Sequence, residues 1–441
     1  MKFPTIFELH AKIKSALISP SNIFSESSEN ISRINGKIGS FTILSEFDNP
    51  ALTSNVDNPL FGIPFSVKDI IDTKGVVTEY GSEIFRRNVP DRDAEIVKRL
   101  KDHGSVMQGK TNTHEFAMGI ITPQCSNPWD LQRVTGGSSG GSAASVASGL
   151  SFYSIGTDTA GSIRIPASMC GITGMKPTTG VLPLEGILPE AWSLDTVGPL
   201  TRYASDIPPI LSAMGLKDIT HTNARKIPIA AVITNLMEKS DSNVSRTLWK
   251  FLDKAISEDI LEIEEVDIPE LSEMAIRDDI IDGCENATFH RERFSKMPML
   301  FSKMSAKQIQ YYSSIPASDY IEAMRYRKTA GRELRNLFGK YDILVSPTVP
   351  TTAPLKVDMM NMDFKFFMKY MEFTNPFNYT GLPAMSIPAG LVDNLPIGLQ
   401  IIGNLNDDYF LCRIATELQS VTDYHKKMPP LSEEVKYSFL E

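Results

Sequence analysis

The sequence predicts an α/β fold with a substantially parallel or mixed sheet, on two observations. Short apolar runs of strand length alternate along the chain with longer patterns at helical spacing. Hydrophobic residues make up 42% and charged residues 22% of the 441, a globular balance far from the low-hydrophobicity, high-charge composition of disorder.

In chain order, the opening MKFPTIFELHAKIK carries Pro4, Glu8, His10 and Lys12, which interrupt any apolar run long enough for a secretory signal, so it reads as the start of a helix. Strands are expected over residues 63–71, 105–111, 152–158, 227–234, 341–348, 383–390 and 396–403. The segment 93–104 places Ala94, Val97 and Leu100 at helical spacing and ends on a glycine suited to close a helix. Residues 235–340 are dominated by long charged helical stretches with few strand signals, which predicts a helical layer. No polar or proline-rich linker and no internal repeat separates these parts. The expectation is one unit over 1–441, with its core at about 60–210 and 341–410.

Composition also excludes some functions. The 44 basic and 53 acidic residues give a formal charge of −9, so nothing favours direct binding of nucleic acid. Cys125, Cys170, Cys284 and Cys412 lie far apart with no Cys-x-x-Cys pair, arguing against a disulfide framework or a zinc site. No run approaches the ~18 uncharged apolar residues of a membrane span. A cytoplasmic protein with no membrane contact, metal or cofactor is expected.

The block TGGSSGGSAASVASGLSFYSIGTDTAGSIRIP, residues 135–166, is dense in glycine and serine. A flexible linker would not run straight into apolar sequence with a charge pair and a proline. A P-loop would place lysine at the end of its glycine run, and none is there. Ser138 and Ser139 each satisfy Gly-x-Ser-x-Gly, but the preceding NPWDLQRVT is a poor core strand for a nucleophile elbow, and His290 or His425 would have to serve without local signature.

Together with GIPFSVKDIIDTKG upstream and CGITGMKPTTG, SLDTVGPLTR, YDILVSPTVPTTAP, TGLPAMSIPAG and LPIGLQIIG downstream, the block resembles the amidase signature family of serine amidases over roughly residues 60–410. The resemblance implies a central mixed sheet covered by helices on both faces. It implies three catalytic residues: Lys68 as base, Ser138 as bridging serine after a cis peptide bond, and Ser162 as acylated nucleophile. Backbone N–H groups of Thr159, Ala160, Gly161 and Ser162 would form the oxyanion hole, with Ser139, Asp158 and Arg164 supporting the loop by hydrogen bonds, as does Asp195.

The chemistry fits these residue types. A lysine acts as base only when neutral, so Lys68 must be buried enough for desolvation to lower its pKa. Ala160 stands where many members carry glycine, and alanine requires a negative φ there. His114 in THEFAMG is expected to be structural. The segment 357–373, rich in methionine and phenylalanine, suits an apolar substrate pocket, core packing or a homodimer contact.

Two functions follow from the resemblance. One is a stand-alone amidase converting a small-molecule carboxylic amide to acid and ammonia. The other is the glutaminase component of a glutamyl-tRNA(Gln) or aspartyl-tRNA(Asn) amidotransferase, which works with partner subunits. The short segment FAMGIITPQCSN and His114 depart from the usual pattern of that component and favour the first.

Overall fold

A computed structural model describes residues 3–48, 55–218, 227–360 and 364–440. Among them, strands β1 (Phe41–Leu44), β2 (Pro64–Lys68), β3 (Val106–Thr111), β4 (Tyr153–Thr157), β5 (Thr173–Lys176), β6 (Val197–Thr201), β7 (Ile229–Ile233), β8 (Glu262–Val266), β9 (Ile343–Pro347), β10 (Ala384–Val392) and β11 (Leu395–Ile402) join in one sheet. Its order is β1-β3-β2-β4-β6-β5-β10-β11-β9-β7-β8. β2 pairs in parallel with β3 and β4, and β7 with β8 and β9. The other pairs are antiparallel, so the sheet is mixed.

Alternation along the strands divides the core. Ala230 and Val232 of β7 join one apolar cluster, with Leu248 and Phe251 of the helix Ser242–Ser257 and Leu411 of the helix Asp408–Ser420. Ala231 and Ile233 join the other, with Leu271 and Met274 of the helix Leu271–Lys296 and Leu334 of the helix Ala317–Leu337. Helices therefore cover both faces. The N-terminal helix Ile6–Lys14 starts at Thr5 with a reciprocal Thr5–Glu8 capping box. The helix expected at 93–104 spans Glu95–Asp102, and Gly104 just beyond it takes a φ of 88°.

All seven expected strands form, and β1, β5, β6 and β8 form beside them without having been expected. β8 lies within 235–340, the segment expected to be mainly helical. It is a sheet-edge strand of sequence EIEEV whose glutamates are exposed, in the manner of a charged edge. β5 and β6 carry Gly174, Gly198 and Pro199, residues that weaken a strand signal. β1 is only four residues long.

Toward the β2–β4 end the sheet changes character. Phe65 and Val67 enter the apolar cluster, while Ser66 donates to Ser154 Oγ at 2.9 Å and is reached by Ser151 at 3.0 Å. The helix Gly140–Ala147 packs beside this polar face with every residue buried. A Cβ on Gly141 would collide with the backbone of Asn112 and Ser40. Much of the glycine and serine content of the block is thus the requirement of close packing against β2–β4.

Candidate active site

Lys68 ends β2 fully buried. Its Nζ donates to Ser138 Oγ at 2.6 Å and to Thr157 Oγ1, at the end of β4, at 2.8 Å. Burial pushes the Lys68 ammonium down to about 8, against the opposing pull of Glu190, Asp158 and Asp195. The peptide bond Gly137–Ser138 is cis, and the Ser138 carbonyl accepts from Thr122 Oγ1 at 3.0 Å and from the His114 N–H at 3.3 Å. Ser139 donates its N–H to the Ser162 carbonyl at 3.2 Å and its hydroxyl to the Thr157 carbonyl at 3.1 Å, tying the two serine loops together.

Ser162 follows Gly161, whose φ of 113° and proximity to Thr374 exclude a side chain: a Cβ would sit 2.7 Å from Thr374 Cβ. Among the described residues Ser162 Oγ has no hydrogen-bond partner, and the residue lines a pocket. The loop is held by Asp158. Its Oδ1 accepts from the Gly161 N–H at 2.8 Å and its Oδ2 from the Ile163 N–H at 3.2 Å. Arg164 completes the clamp, with Nε and Nη2 each 2.9 Å from the two Asp158 oxygens and neither residue exposed. Burial alone would raise the Asp158 carboxyl, but the guanidinium and the hydrogen bonds hold it well below the usual carboxylate range.

Asp195 accepts from Thr159 Oγ1 at 2.7 Å and from the N–H groups of Glu190 and Ala191 at 3.0 and 3.1 Å, while burial pushes it up to about 6. Ala160 keeps a negative φ, as expected. The N–H groups of Thr159, Ala160 and Ser162 meet no acceptor among the described residues. Gly161 requires a correction: its N–H is taken by Asp158 and is not free for an oxyanion. His114 is buried with Nδ1 3.2 Å from the Glu115 carbonyl, a structural setting that lowers its pKa by desolvation.

Several participants had no signal of their own in the sequence. Asn378 Nδ2 donates to Asp158 Oδ1 at 2.8 Å, Gln400 Oε1 accepts from Arg164 Nη1 at 2.7 Å, and Thr374 Oγ1 donates to the Ala160 carbonyl at 2.8 Å. Thr157 holds the lysine. Within the methionine-rich segment, residues 361–363 lie outside the described residues. Phe367 and Met371 line the pocket at Ser162, and Met359, Tyr370 and Phe373 are core. The wall facing Ser162 comes from Glu190 and from Asp279, Asp282 and Asn286 of the helix Leu271–Lys296.

The family profile Amidase matches residues 41–412. The A subunit of the glutamyl-tRNA(Gln) amidotransferase of Geobacillus kaustophilus is 32% identical over 481 aligned positions, covering 97% of this chain and 99% of that one. Among solved structures, the corresponding glutamyl-tRNA(Gln) amidotransferase protein of Thermotoga maritima superposes with a TM-score of 0.81 at 30% identity, covering 98% of each chain. The peptide amidase of Stenotrophomonas maltophilia shares the fold, with a TM-score of 0.79 at 23% identity over 97% of this chain and 98% of that one.

Proposed function

The chain belongs to the amidase family, enzymes acting on carbon–nitrogen bonds, and on that premise we propose that Lys68, Ser138 and Ser162 carry out serine-dependent hydrolysis of a carboxylic amide. The observation that carries this reading is a buried lysine, lowered toward neutrality, 2.6 Å from a serine whose loop is tied to a second serine open to a pocket.

In its neutral form Lys68 accepts the Ser138 proton while Ser138 takes the proton of Ser162, whose oxygen attacks the amide carbon. The N–H groups of Thr159, Ala160 and Ser162 face the developing oxyanion, where loss of one donor costs about 3 to 4 kcal/mol of barrier. The proton returns through Ser138 to the departing nitrogen, ammonia leaves, and water attacks the acyl-enzyme by the same relay to release the acid. Asp158, Arg164, Ser139 and Asp195 act by holding the two loops.

Two settings for this chemistry remain distinct. The relatives favour the glutaminase component of a tRNA amidotransferase, with glutamine as the amide and partner subunits to receive ammonia. The shortened FAMGIITPQCSN segment and His114 favour an autonomous amidase acting in the cytoplasm. Ammonia release by the purified chain from glutamine and from aliphatic and aromatic amides, with Ser162→Ala beside it, separates them. Serine-dependent release from a non-glutamine amide supports the autonomous enzyme, and weak turnover of glutamine alone supports the amidotransferase component. Unchanged turnover by Ser162→Ala overturns the assignment of the nucleophile.

A further inference from the structure

The pocket at Ser162 has two unlike sides. Met118, Ile120, Phe367 and Met371 supply apolar surface, while Glu190, Asp279, Asp282, Asn286 and Gln308 supply polar groups, with no lysine, arginine or histidine among the described lining residues. Three of the polar groups stand on one helix face: Asp279, Asp282 and Asn286 are spaced i, i+3, i+7 within Leu271–Lys296.

Three of these five groups carry buried atoms without an internal partner. Asn286, 2% exposed, has neither its Nδ2 nor its Oδ1 hydrogen-bonded; Glu190 Oε2 and Gln308 Oε1 are likewise unpaired. Asp279 is partly satisfied, by the Tyr312 hydroxyl at 2.7 Å. Buried polar atoms in folded proteins are nearly always paired, so several converging on one pocket point to a ligand that completes them. The carboxylates of Glu190, Asp279 and Asp282 give this wall the sign that suits a cationic group.

We propose that the amides processed at Ser162 carry an ammonium group, received by Glu190 and Asp282 with Asn286 and Gln308 completing its hydrogen bonds, and that a carboxylate at that end is rejected. The inference rests on the serine-amidase reading above and names the substrate class of the same site. Burial, together with repulsion among the neighbouring carboxylates, raises both Glu190 and Asp282 well above the usual range. A cation between them relieves both causes and restores their charge. Lys68 is the protein cation that opposes this rise at Glu190, but it must be neutral to act as base and it is already engaged by Ser138 and Thr157. Free glutamine meets this wall only halfway, because its α-ammonium is complemented and its α-carboxylate finds no basic side chain among the described lining residues.

The test uses three primary amides of matched length with the full chain: pentanamide, 5-aminopentanamide and 4-carbamoylbutanoate. The expected kcat/KM is at least about tenfold higher for the ammonium-bearing amide than for the neutral one, with the anionic amide lowest, and Asp282→Asn should shrink the cationic-to-neutral ratio at least about fivefold. Calorimetric binding of the same amides to Ser162→Ala reads the charge preference without turnover. Equal or reversed preference in binding overturns this inference whether or not the parent enzyme turns any amide over. Preferred binding of the ammonium compound, with no hydrolysis by the parent of any of the three amides or of glutamine, keeps the charge preference of the pocket and overturns the serine-amidase reading.

Discussion

Replacing Arg164 with methionine removes one half of a buried ion pair and leaves most of the apolar volume in place. In the native chain Arg164 donates to both Asp158 oxygens at 2.9 Å, to Gln400 Oε1 at 2.7 Å and to the Thr374 carbonyl at 3.2 Å. Without it, Asp158 keeps the N–H groups of Gly161 and Ile163 and the Asn378 amide but loses its counter-charge. An uncompensated buried charge costs about 3–5 kcal/mol when one partner is deleted, a large part of the roughly 5–15 kcal/mol typical of whole domains.

Denaturant unfolding at pH 7 followed by tryptophan fluorescence is the assay, since Trp129 Nε1 donates to the Cys170 carbonyl at the end of the helix that Arg164 begins. The double variant Asp158→Asn/Arg164→Met should regain about 2 kcal/mol, because the orphan charge is gone. Both variants should lose about a hundredfold in turnover through displacement of the Ser162 loop. The pH dependence has a definite sign. Asp158 is held low in the parent, so its contribution is present above the ordinary carboxylate range and is lost only as pH falls through the folded value. In Arg164→Met the Asn378 amide, the loop N–H groups and the Lys176 charge still oppose burial, but the largest opposing influence is gone and Asp158 rises, so the gap to the parent should narrow on acidification from pH 7 to 5. An Arg164→Met protein within about 1 kcal/mol of the parent, or with normal turnover, would refute the clamp.

Two further outcomes follow from the same geometry. Because Lys68 must lose its proton to act and burial lowers it to about 8, kcat/KM should rise with pH and level off above that value; Lys68→Met should drop it roughly a thousandfold, and a profile flat from about pH 6 to 10 contradicts the base assignment. Gly161→Ala meets both a left-handed φ of 113° and Thr374, so it should cost about 1–3 kcal/mol in unfolding and lose turnover disproportionately; an alanine variant with unaltered kcat shows that the Ser162 loop tolerates displacement.

The sequence is most informative where chemistry is local. Lys68, Ser138 and Ser162 sit in short motifs that resemble a family, and their convergence follows once β2 and β4 pair in parallel, bringing Lys68 to Thr157 and, through the Ser139 contacts, to the Ser162 loop. A strand with an uninterrupted apolar run, such as β7, can be read directly. β5 and β6 cannot, because Gly198 is needed where a Cβ would strike the Met175 carbonyl, and that demand exists only once the neighbouring strand is in place. The engagement of the Gly161 N–H escapes sequence reading for the same kind of reason: Asp158 claims it through a turn geometry that no residue identity announces.

The far wall of the pocket is the least legible part, and the reason is physical. A helix bearing Asp278, Asp279, Asp282 and Glu285 has the sequence of a solvated surface, where such charges are usual. In the fold, Asp278, Asp279 and Glu285 are buried, and Asp282 lines the pocket. Like charges three and four residues apart oppose helix formation, and burial adds to that opposition. Keeping them beside Ser162 carries a stability cost at the place where, on the proposed reading, an incoming cation removes it. On that proposed reading local motifs build the reaction centre, whereas recognition is assembled from a distant helix that meets Ser162 only at the pocket the fold forms.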